Sequence, residues 1–144
     1  MLGRASFLGT LRCSLAVGLE GTRMPNERIL VVEDERLVRE VIVEVLTEAG
    51  FQVDEAETGD DAAKLIDADG YTLILTDINM PGHLDGIDLA THAHKKKPGI
   101  PIVFMTGCPE SSERAQARGA LVIHKPYSPA TVVRAVRALL SHKD

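Results

Sequence analysis

The feature that most constrains this chain of 144 residues is a set of four short apolar segments, each followed at once by polar or charged residues. The segments span residues 29–32, 73–76, 102–105 and 121–123. They are rich in β-branched residues and too short for helices, which is typical of buried parallel strands. A fifth, more alternating segment at 51–56 fits an edge strand. Strands that alternate with helical patterns predict an α/β class fold, a doubly wound five-stranded parallel sheet with five helices.

The polar residues at the ends of these strands are expected to form one site. In an open α/β sheet, ligands bind beyond the carboxyl ends of the strands, so side chains that are distant in sequence meet there. An acid after a strand is also a common helix cap, and Asp34 alone would fit that interpretation. The conjunction of acids, a hydroxyl and a lysine favours a shared site. Its residues are Glu33, Asp34, Asp77, Thr106, Gly107 and Lys125.

The residue types in this site indicate phosphoryl chemistry. Clustered carboxylates stay ionised together only around a cation, and oxygen ligands without His or Cys favour Mg²⁺. Beside that ion, Asp77 would attack a phosphoryl group and form an acyl phosphate. Lys125 would pair with one phosphoryl oxygen, while the Thr106 hydroxyl and the Gly107 N–H would donate hydrogen bonds to the others.

Four motifs together resemble the receiver domain of two-component response regulators, here of a stand-alone, single-domain type. The resemblance covers about residues 28–140. The motifs are ILVVEDE at 29–35, LTDINMPG at 75–82, FMTG at 104–107 and HKPY at 124–127. Each motif alone is weak, but all four in this order are specific. The resemblance implies a flavodoxin-like or receiver-like sheet with strand order 2-1-3-4-5, which places the first and third strands side by side.

The resemblance also implies roles for individual residues. Asp77 would be the phosphoacceptor, and Asp34 and Asp77 would bind Mg²⁺ through their side chains. Asn79 would bind the ion through its backbone carbonyl and contact the phosphoryl group, and Glu33 would act through water. The phosphoryl donor would be a sensor histidine kinase or a phosphotransfer protein. An output protein not identified by the sequence, or a second copy of the chain, would bind the face formed by helix four, strand five and helix five.

The composition predicts one intracellular domain. Residues 26–144 are expected to form the receiver domain, with residues 1–25 as a disordered extension; a targeting role for 1–25 is the alternative. The net charge of −5 argues against direct nucleic-acid binding, and no apolar span is long enough to cross a membrane. The two cysteines, Cys13 and Cys108, suggest no disulfide. The expected location is the cytoplasm.

Three functions remain open at this stage. The first is a phosphorylated switch, or a phosphate shuttle or sink, in a signalling relay. The second is a protein-binding module on the same fold that works without phosphorylation. The third is a Mg²⁺ phosphohydrolase with external substrates, which the absence of a cap or substrate domain in the sequence disfavours. The expectation is therefore a self-phosphorylating and autodephosphorylating switch rather than a turnover enzyme.

The sequence departs from the receiver pattern in three places. The loop after Asp77 is one residue longer than the common form. Only 19 positions separate Thr106 from Lys125, and the polar segment between them predicts a short or mobile fourth helix. Val122 stands where receivers usually have Tyr or Phe, so the inward swing of an aromatic ring is not available. We expect phosphorylation to act instead on the segment 107–118.

Several other residues have simpler interpretations. Cys108 is expected to be a small loop residue, because nearby carboxylates oppose a thiolate. The lysines at 95–97 are expected to be a solvated helix end. No metal pair is expected from His92 and His94, which lie on different helical faces. His83, in the loop after Asp77, and His124, beside Lys125, are expected to be solvated side chains. The first helix is expected to bury an apolar stripe formed by Val38, Val41, Ile42, Val45, Leu46 and Ala49.

Overall fold

The computed structural model describes residues 27–68 and 70–141, and within them five parallel strands form one sheet. The expected disordered extension at 1–25 and Cys13 lie outside the described residues. The strand order is β2-β1-β3-β4-β5, as the receiver resemblance implied. The strands are β1 Arg28–Val32, β2 Gln52–Ala56, β3 Leu73–Asp77, β4 Ile102–Thr106 and β5 Leu121–His124.

Helices cover both faces of the sheet, which creates two apolar cores. The helices are α1 Arg36–Glu48, α2 Gly59–Ala68, α3 Gly86–Lys96, α4 Pro109–Ala117 and α5 Pro129–Ser141. One core packs α1 and α5 against residues such as Val31 and Leu75. The other packs α2, α3 and α4 against residues such as Leu30 and Ile74. No helix in these described stretches is long and apolar enough to span a bilayer.

Side chains just before two helices accept hydrogen bonds from the first turn. The Thr58 hydroxyl accepts from the backbone N–H of Asp61 at 3.0 Å. Asp85 and Asp88 form a reciprocal capping box at the start of α3, with Asp85 Oδ1 2.8 Å from the Asp88 nitrogen. Each bond satisfies an N–H that has no partner within the helix. These caps fix where the chain turns from the sheet edge into α2 and α3.

The fourth helix is short, in agreement with its polar sequence. It has nine residues and buries Ser111, Ser112 and Ala115 instead of large apolar side chains. The Ser112 hydroxyl lies 3.5 Å from Nε2 of His124 on β5. Because little apolar area anchors this helix, its position depends on such polar contacts and on its connection to β4.

The expected buried stripe of α1 is wrong at one position. Ile42 and Leu46 are buried, but Val41 is 46% exposed and its neighbour Leu37 is 69% exposed. The helix is apolar around more of its circumference than the sheet and α5 cover. A sequence pattern identifies apolar positions but does not say which of them a neighbouring element reaches. The helix therefore presents an apolar strip on the surface.

Candidate functional site

Three carboxylates converge at the carboxyl ends of β1 and β3. The two strands are hydrogen-bonded neighbours, with Val32 opposite Thr76, so the residues that follow them lie together. One oxygen from each of Glu33, Asp34 and Asp77 lies within 4.8 Å of the others. Of the acidic, His and Cys side chains in the described residues, these three lie close enough together to share a metal ion. The structure thus brings together the three acids that the sequence placed in one site.

Lys125 reaches the same group from the end of β5. Its Nζ lies 3.2 Å from Oδ2 of Asp77 and 3.4 Å from Oε1 of Glu33. The Lys125 side chain is 28% exposed, whereas the Glu33 side chain is 1% and the Asp77 side chain 8% exposed. A flexible point charge at the mouth of the site therefore faces two carboxylates at its base.

The site shifts the proton affinities of its charged groups. Burial raises the pKa of Asp77, and the charge of Lys125 opposes that effect. Burial also raises the pKa of Glu33 to about 6, against a hydrogen bond from the backbone N–H of Glu35. Burial alone would lower the pKa of Lys125, but the charges of Asp77 and Glu33 overcome it and the net pKa is raised. The ammonium group thus partly neutralises a carboxylate cluster that repels itself.

Glu33 and Asp34 do not act as the cap of α1. The N-cap residue is Glu35, and it makes no side-chain cap hydrogen bond. Instead, Oε2 of Glu33 accepts from the backbone N–H of Glu35 at 3.1 Å. Nη1 of Arg39 donates to the backbone carbonyl of Glu33 at 2.8 Å. These bonds fix the turn after β1 with the carboxylates pointing into the site.

The hydroxyl of Thr106, at the end of β4, bonds to the loop after β3 and to the start of α4. It donates to Oδ1 of Asn79 at 3.0 Å and accepts from the backbone N–H of Cys108 at 3.0 Å. The receiver resemblance implied that Asn79 binds the ion through its backbone carbonyl and contacts the phosphoryl group. It did not indicate this bond to Thr106, since no sequence pattern relates two loops 27 residues apart. Gly107 lies beside Lys125, because a Cβ at Gly107 would be 3.6 Å from that of Lys125.

The loop after β3 is closed by a tight backbone contact. The N–H of Gly86 donates to the carbonyl of Ile78 at 2.8 Å. A Cβ on Gly86 would lie 2.3 Å from the carbonyl oxygen of Asp77 and 2.7 Å from the Cα of Ile78. Only glycine fits there. The base of the loop is therefore packed against the backbone of Asp77.

The donor set fits a hard divalent cation. The clustered groups are the carboxylate oxygens of Glu33, Asp34 and Asp77, with no His or Cys among them. Mg²⁺ prefers such oxygen ligands, and it usually keeps several of its waters. Asp34 and Asp77 would contribute side-chain oxygens, and Glu33 is close enough to the same cluster to bond to a water on the ion. Burial is the main cause of the raised pKa of Glu33, and the charge of Asp77 adds to it; a cation would offset that charge.

The remaining candidate residues lie apart from this cluster. His92 Nε2 is 2.8 Å from Oδ1 of Asp67, and His94 Nε2 is 3.0 Å from the carbonyl of Ile100. The two rings thus have separate partners, as expected for histidines that do not form a metal pair. His83 is 93% exposed. The lysine-rich end of α3 is exposed, and Nζ of Lys97 donates to the carbonyl of Tyr71 at 3.0 Å.

Cys108 differs from the expectation for its thiol. It is the N-cap residue of α4, and the nearby backbone N–H of Ser111 lowers the pKa of the thiol. Glu110 opposes this shift, as the sequence suggested, but its effect is smaller than that of the N–H groups. The N–H groups at the start of α4 therefore lower the pKa of the thiol more than the carboxylate of Glu110 raises it.

Comparison with known proteins identifies the family. The model of the response regulator receiver domain matches residues 29–137, which is more than half of the chain. The chain belongs to the response regulator receiver family. Receiver domains act as phosphorylation switches in two-component systems, bind Mg²⁺ at an acidic pocket and interact with histidine kinases or phosphotransfer proteins.

Individual relatives agree with this assignment. Transcriptional regulatory protein ResD of Bacillus subtilis is 42% identical over 117 residues, which are 78% of this chain and 48% of ResD. The chain thus spans about half the length of that relative. Response regulator receiver protein CpdR of Brucella abortus is 32% identical over 117 residues, 79% of this chain and 97% of CpdR. Response regulator protein TrrA of Thermotoga maritima, solved in complex with Mg²⁺-BeF, matches with a TM-score of 0.71 and 32% identity, covering 78% of this chain and 98% of TrrA.

Proposed function

We propose that this chain is a single-domain response regulator that accepts a phosphoryl group on Asp77 in a Mg²⁺-dependent reaction. The observation that carries the proposal is the contact of the buried Asp77 carboxylate with Lys125, at 3.2 Å, inside a cluster of three acids. The donor is the phosphohistidine of a sensor kinase or of a phosphotransfer protein. The phosphorylated chain then switches the binding of an output protein, or passes the phosphoryl group on.

The transfer is an in-line displacement at phosphorus. A carboxylate oxygen of Asp77 forms the new P–O bond, and the P–N bond to the donor imidazole breaks. The electron pair of the broken bond stays on the imidazole nitrogen. Because the other ring nitrogen of the donor carries a proton, the imidazole leaves as a neutral ring, and Asp77 becomes an acyl phosphate. Lys125 pairs with one phosphoryl oxygen, and the hydroxyl of Thr106 and the N–H of Gly107 donate to the others.

The proposed cation ligands are Glu33, Asp34 and Asp77, with the backbone carbonyl of Asn79. Bound there, Mg²⁺ supplies charge that offsets the negative phosphoryl oxygens. The protein's own part is to hold Asp77 ionised and aimed along the direction of attack. Glu33 helps by remaining fixed through its bond to the Glu35 N–H.

An apolar groove beside the site supports docking of a protein donor. It has a volume of about 650 Å³ and runs from α1 to the loop after β5. Leu37 and Val41 line one side, while Pro126 and Tyr127 line the other, next to Lys125. A donor that buries this groove would bring its phosphohistidine to the mouth of the site. Small phosphodonors would not need the groove.

The domain limits and location belong to the same proposal. Residues 26–144 form the receiver domain, which the family match at 29–137 supports. A cytoplasmic location fits a partner that is phosphorylated from ATP inside the cell. The chain undergoes one phosphorylation per cycle and hydrolyses its own acyl phosphate, so it is a switch rather than an enzyme with external substrates.

Phosphotransfer from a panel of purified histidine kinases of the source organism tests the function. With Mg²⁺ present, we expect one kinase to transfer its label to this chain far faster than the others. Chelation of divalent ions after the kinase has been labelled should slow this transfer by at least about a hundredfold, because nothing then offsets the charge of the phosphoryl oxygens. Asp34→Asn should need much higher Mg²⁺ than Asp61→Asn, an exposed control on α2. Equal transfer with and without Mg²⁺ would contradict the proposal.

We further propose that phosphorylation acts on α4 through Thr106. Val122 is half-buried against the core and supplies no aromatic ring to swing. The Thr106 hydroxyl, however, bonds both to Asn79 and to the N–H of Cys108 at the start of α4. If the phosphoryl group attracts this hydroxyl, both bonds change, and the short α4 has few buried apolar contacts to resist movement.

Amide hydrogen exchange tests this transmission. Beryllofluoride with Mg²⁺ serves as the phosphoryl mimic. We expect exchange across residues 107–118 to change by about tenfold or more, since local protection follows the stability of the segment. The same treatment of Asp77→Asn provides the control and should leave the segment unaltered. Changes confined to other segments would show that the signal takes another route.

A further inference from the structure

The last part of the chain has an unusual charge distribution. Residues 114–141 contain Arg114, Arg118, Lys125, Arg134 and Arg137 and no acidic residue, although the whole chain carries a net charge of −5. Arg114 is paired with Asp85 across 3.5 Å, and Lys125 belongs to the phosphoryl site. The ion pairs of the described residues include no partner for the other three arginines, which are exposed. A basic surface therefore surrounds β5 and α5.

This surface contains an open edge of the sheet. β5 is the last strand of the order and pairs only with β4 within the described sheet. The N–H of Lys125 donates to the carbonyl of Thr106 on β4. Because backbone groups alternate along a strand, those of Ile123 also face β4, while the N–H and C=O groups of Val122 and His124 face outward. The outward groups form a template for one more strand.

The open edge lacks the protection that the opposite edge has. β2 carries charged residues, and two of them, Asp54 and Glu55, pair with Arg28 and Arg39. Charged side chains on an edge strand discourage further pairing. β5 instead has Leu121, 41% exposed, followed by Val122 and Ile123.

A groove beside β5 has room for an added strand. It has a volume of about 630 Å³ and lies between β5 and α5. On α5 it is lined by Thr131, Ala135 and Ala138, whose small side chains leave space, and by Arg134. Its lining contains no acidic residue. The groove thus combines an apolar floor, unpaired backbone groups and positive charge.

We propose that β5 binds an extended, acidic segment of a partner protein, which adds to the sheet as a sixth strand. Main-chain hydrogen bonds to Val122 and His124 would supply affinity, and acidic side chains of the segment would pair with Arg134 and, one helical turn further on, with Arg137. A second copy of this chain fits less well, since it would bring the same arginines against one another. This open edge lies in the face of α4, β5 and α5 that the receiver resemblance assigns to an output protein. The inference rests on that part of the proposed function and deepens it by naming the chemistry of the bound segment, but it does not need Asp77 to be phosphorylated.

A synthetic peptide of about ten residues that alternates valine and glutamate, long enough for one strand, is the probe. Two-dimensional NMR of the whole chain, with the peptide titrated in, measures binding and amide exchange. At saturation we expect exchange of the Val122 and His124 amides to slow by at least about tenfold, because they gain partners. The amides of Ile123 and Lys125, already bonded to β4, should change little.

Matched peptides and variants separate the contributions. Replacing glutamate by lysine in the peptide should weaken binding at least about tenfold, as should Arg134→Glu in the protein, because each makes like charges face each other. Methylation of the peptide's backbone nitrogens should abolish binding. Lys64→Glu, an exposed charge reversal on α2, and Asp77→Asn should bind like the unaltered chain. Thermal unfolding of each variant checks that its fold is intact.

Several results would overturn the proposal. The first is equal binding of the glutamate and lysine peptides, or peptide-induced changes on β2 or α1 rather than on β5. Another is a concentration-dependent dimer of the chain alone that protects the Val122 and His124 amides, because the occupant would then be a second copy. Tighter binding of a single-stranded oligonucleotide at the same amides would identify the basic surface as a nucleic-acid site instead.

Discussion

Asp77→Asn is expected to remove phosphorylation from this chain almost completely. The amide nitrogen and oxygen keep the shape of the side chain but supply no anionic nucleophile. Label transferred from the cognate kinase, or from a small phosphodonor such as acetyl phosphate, should fall by at least about a hundredfold, as when the reacting group itself is lost. Intact-mass measurement counts the phosphoryl groups, and release of the phosphate by hydroxylamine identifies an acyl phosphate.

The same variant should remain folded, which makes the result interpretable. Burial raises the pKa of Asp77, so the ionised side chain is costly where it lies. Removing that charge should leave the unfolding temperature in Mg²⁺-free buffer equal to or above that of the unaltered chain, although Lys125 keeps only Glu33 as a partner. Asp61→Asn on the exposed face of α2 is the matched control and should be phosphorylated normally. Full phosphorylation of Asp77→Asn would place the acceptor elsewhere.

Most of the fold follows from local patterns in the sequence. The short β-branched segments and the helical spacing between them predict each element, and Thr58 and Asp85 predict two helix starts. The order of the strands does not follow from these patterns, because any parallel order buries the same segments. It came from the resemblance of the motifs to receivers, and the structure and the family match agree with it.

Burial on α1 shows where pattern analysis fails. Val41 and Ile42 are both apolar, yet only Ile42 is covered. The difference depends on the position of α5, which packs against α1 although the two helices are distant in the sequence. An apolar residue left outside such a contact looks the same in the sequence as one inside it. The exposed strip on α1 and the groove beside it could therefore be found only from the structure.

The candidate site also has a part that the sequence predicts and a part that only the structure shows. The acids and the lysine follow strands, so their meeting could be expected from the topology alone. The bonds from Thr106 to Asn79 and Cys108 join the loop after β3 to the loop after β4, and their geometry depends on how each loop closes. These loop contacts link the place where phosphate would bind to α4. The part of the site that concerns chemistry was thus easier to predict than the part that concerns signalling.

Gly86→Ala is expected to cause the largest loss of stability among the substitutions considered. The added Cβ would lie 2.3 Å from the carbonyl oxygen of Asp77 and 2.7 Å from the Cα of Ile78. Both are backbone atoms, so no flexible side chain is able to move away. We expect the free energy of unfolding to fall by about 3 kcal/mol, the upper part of the range for overpacking a tight site. Urea denaturation followed by circular dichroism measures this loss.

Gly107→Ala is the matched comparison, because its Cβ would meet only the Cβ of Lys125, at an ordinary 3.6 Å. Its stability should change by less than about 0.5 kcal/mol, as for a surface substitution that removes no contact. The Gly86 variant should also lose phosphorylation at temperatures where it is still folded, because relief of the clash displaces the backbone that carries Asp77. Equal stability of the two variants would mean that the loop relaxes without moving β3. Normal phosphorylation of a destabilised Gly86→Ala would mean that the strain is absorbed within the loop, so the closeness of Gly86 to Asp77 would serve folding and not the geometry of the phosphoacceptor.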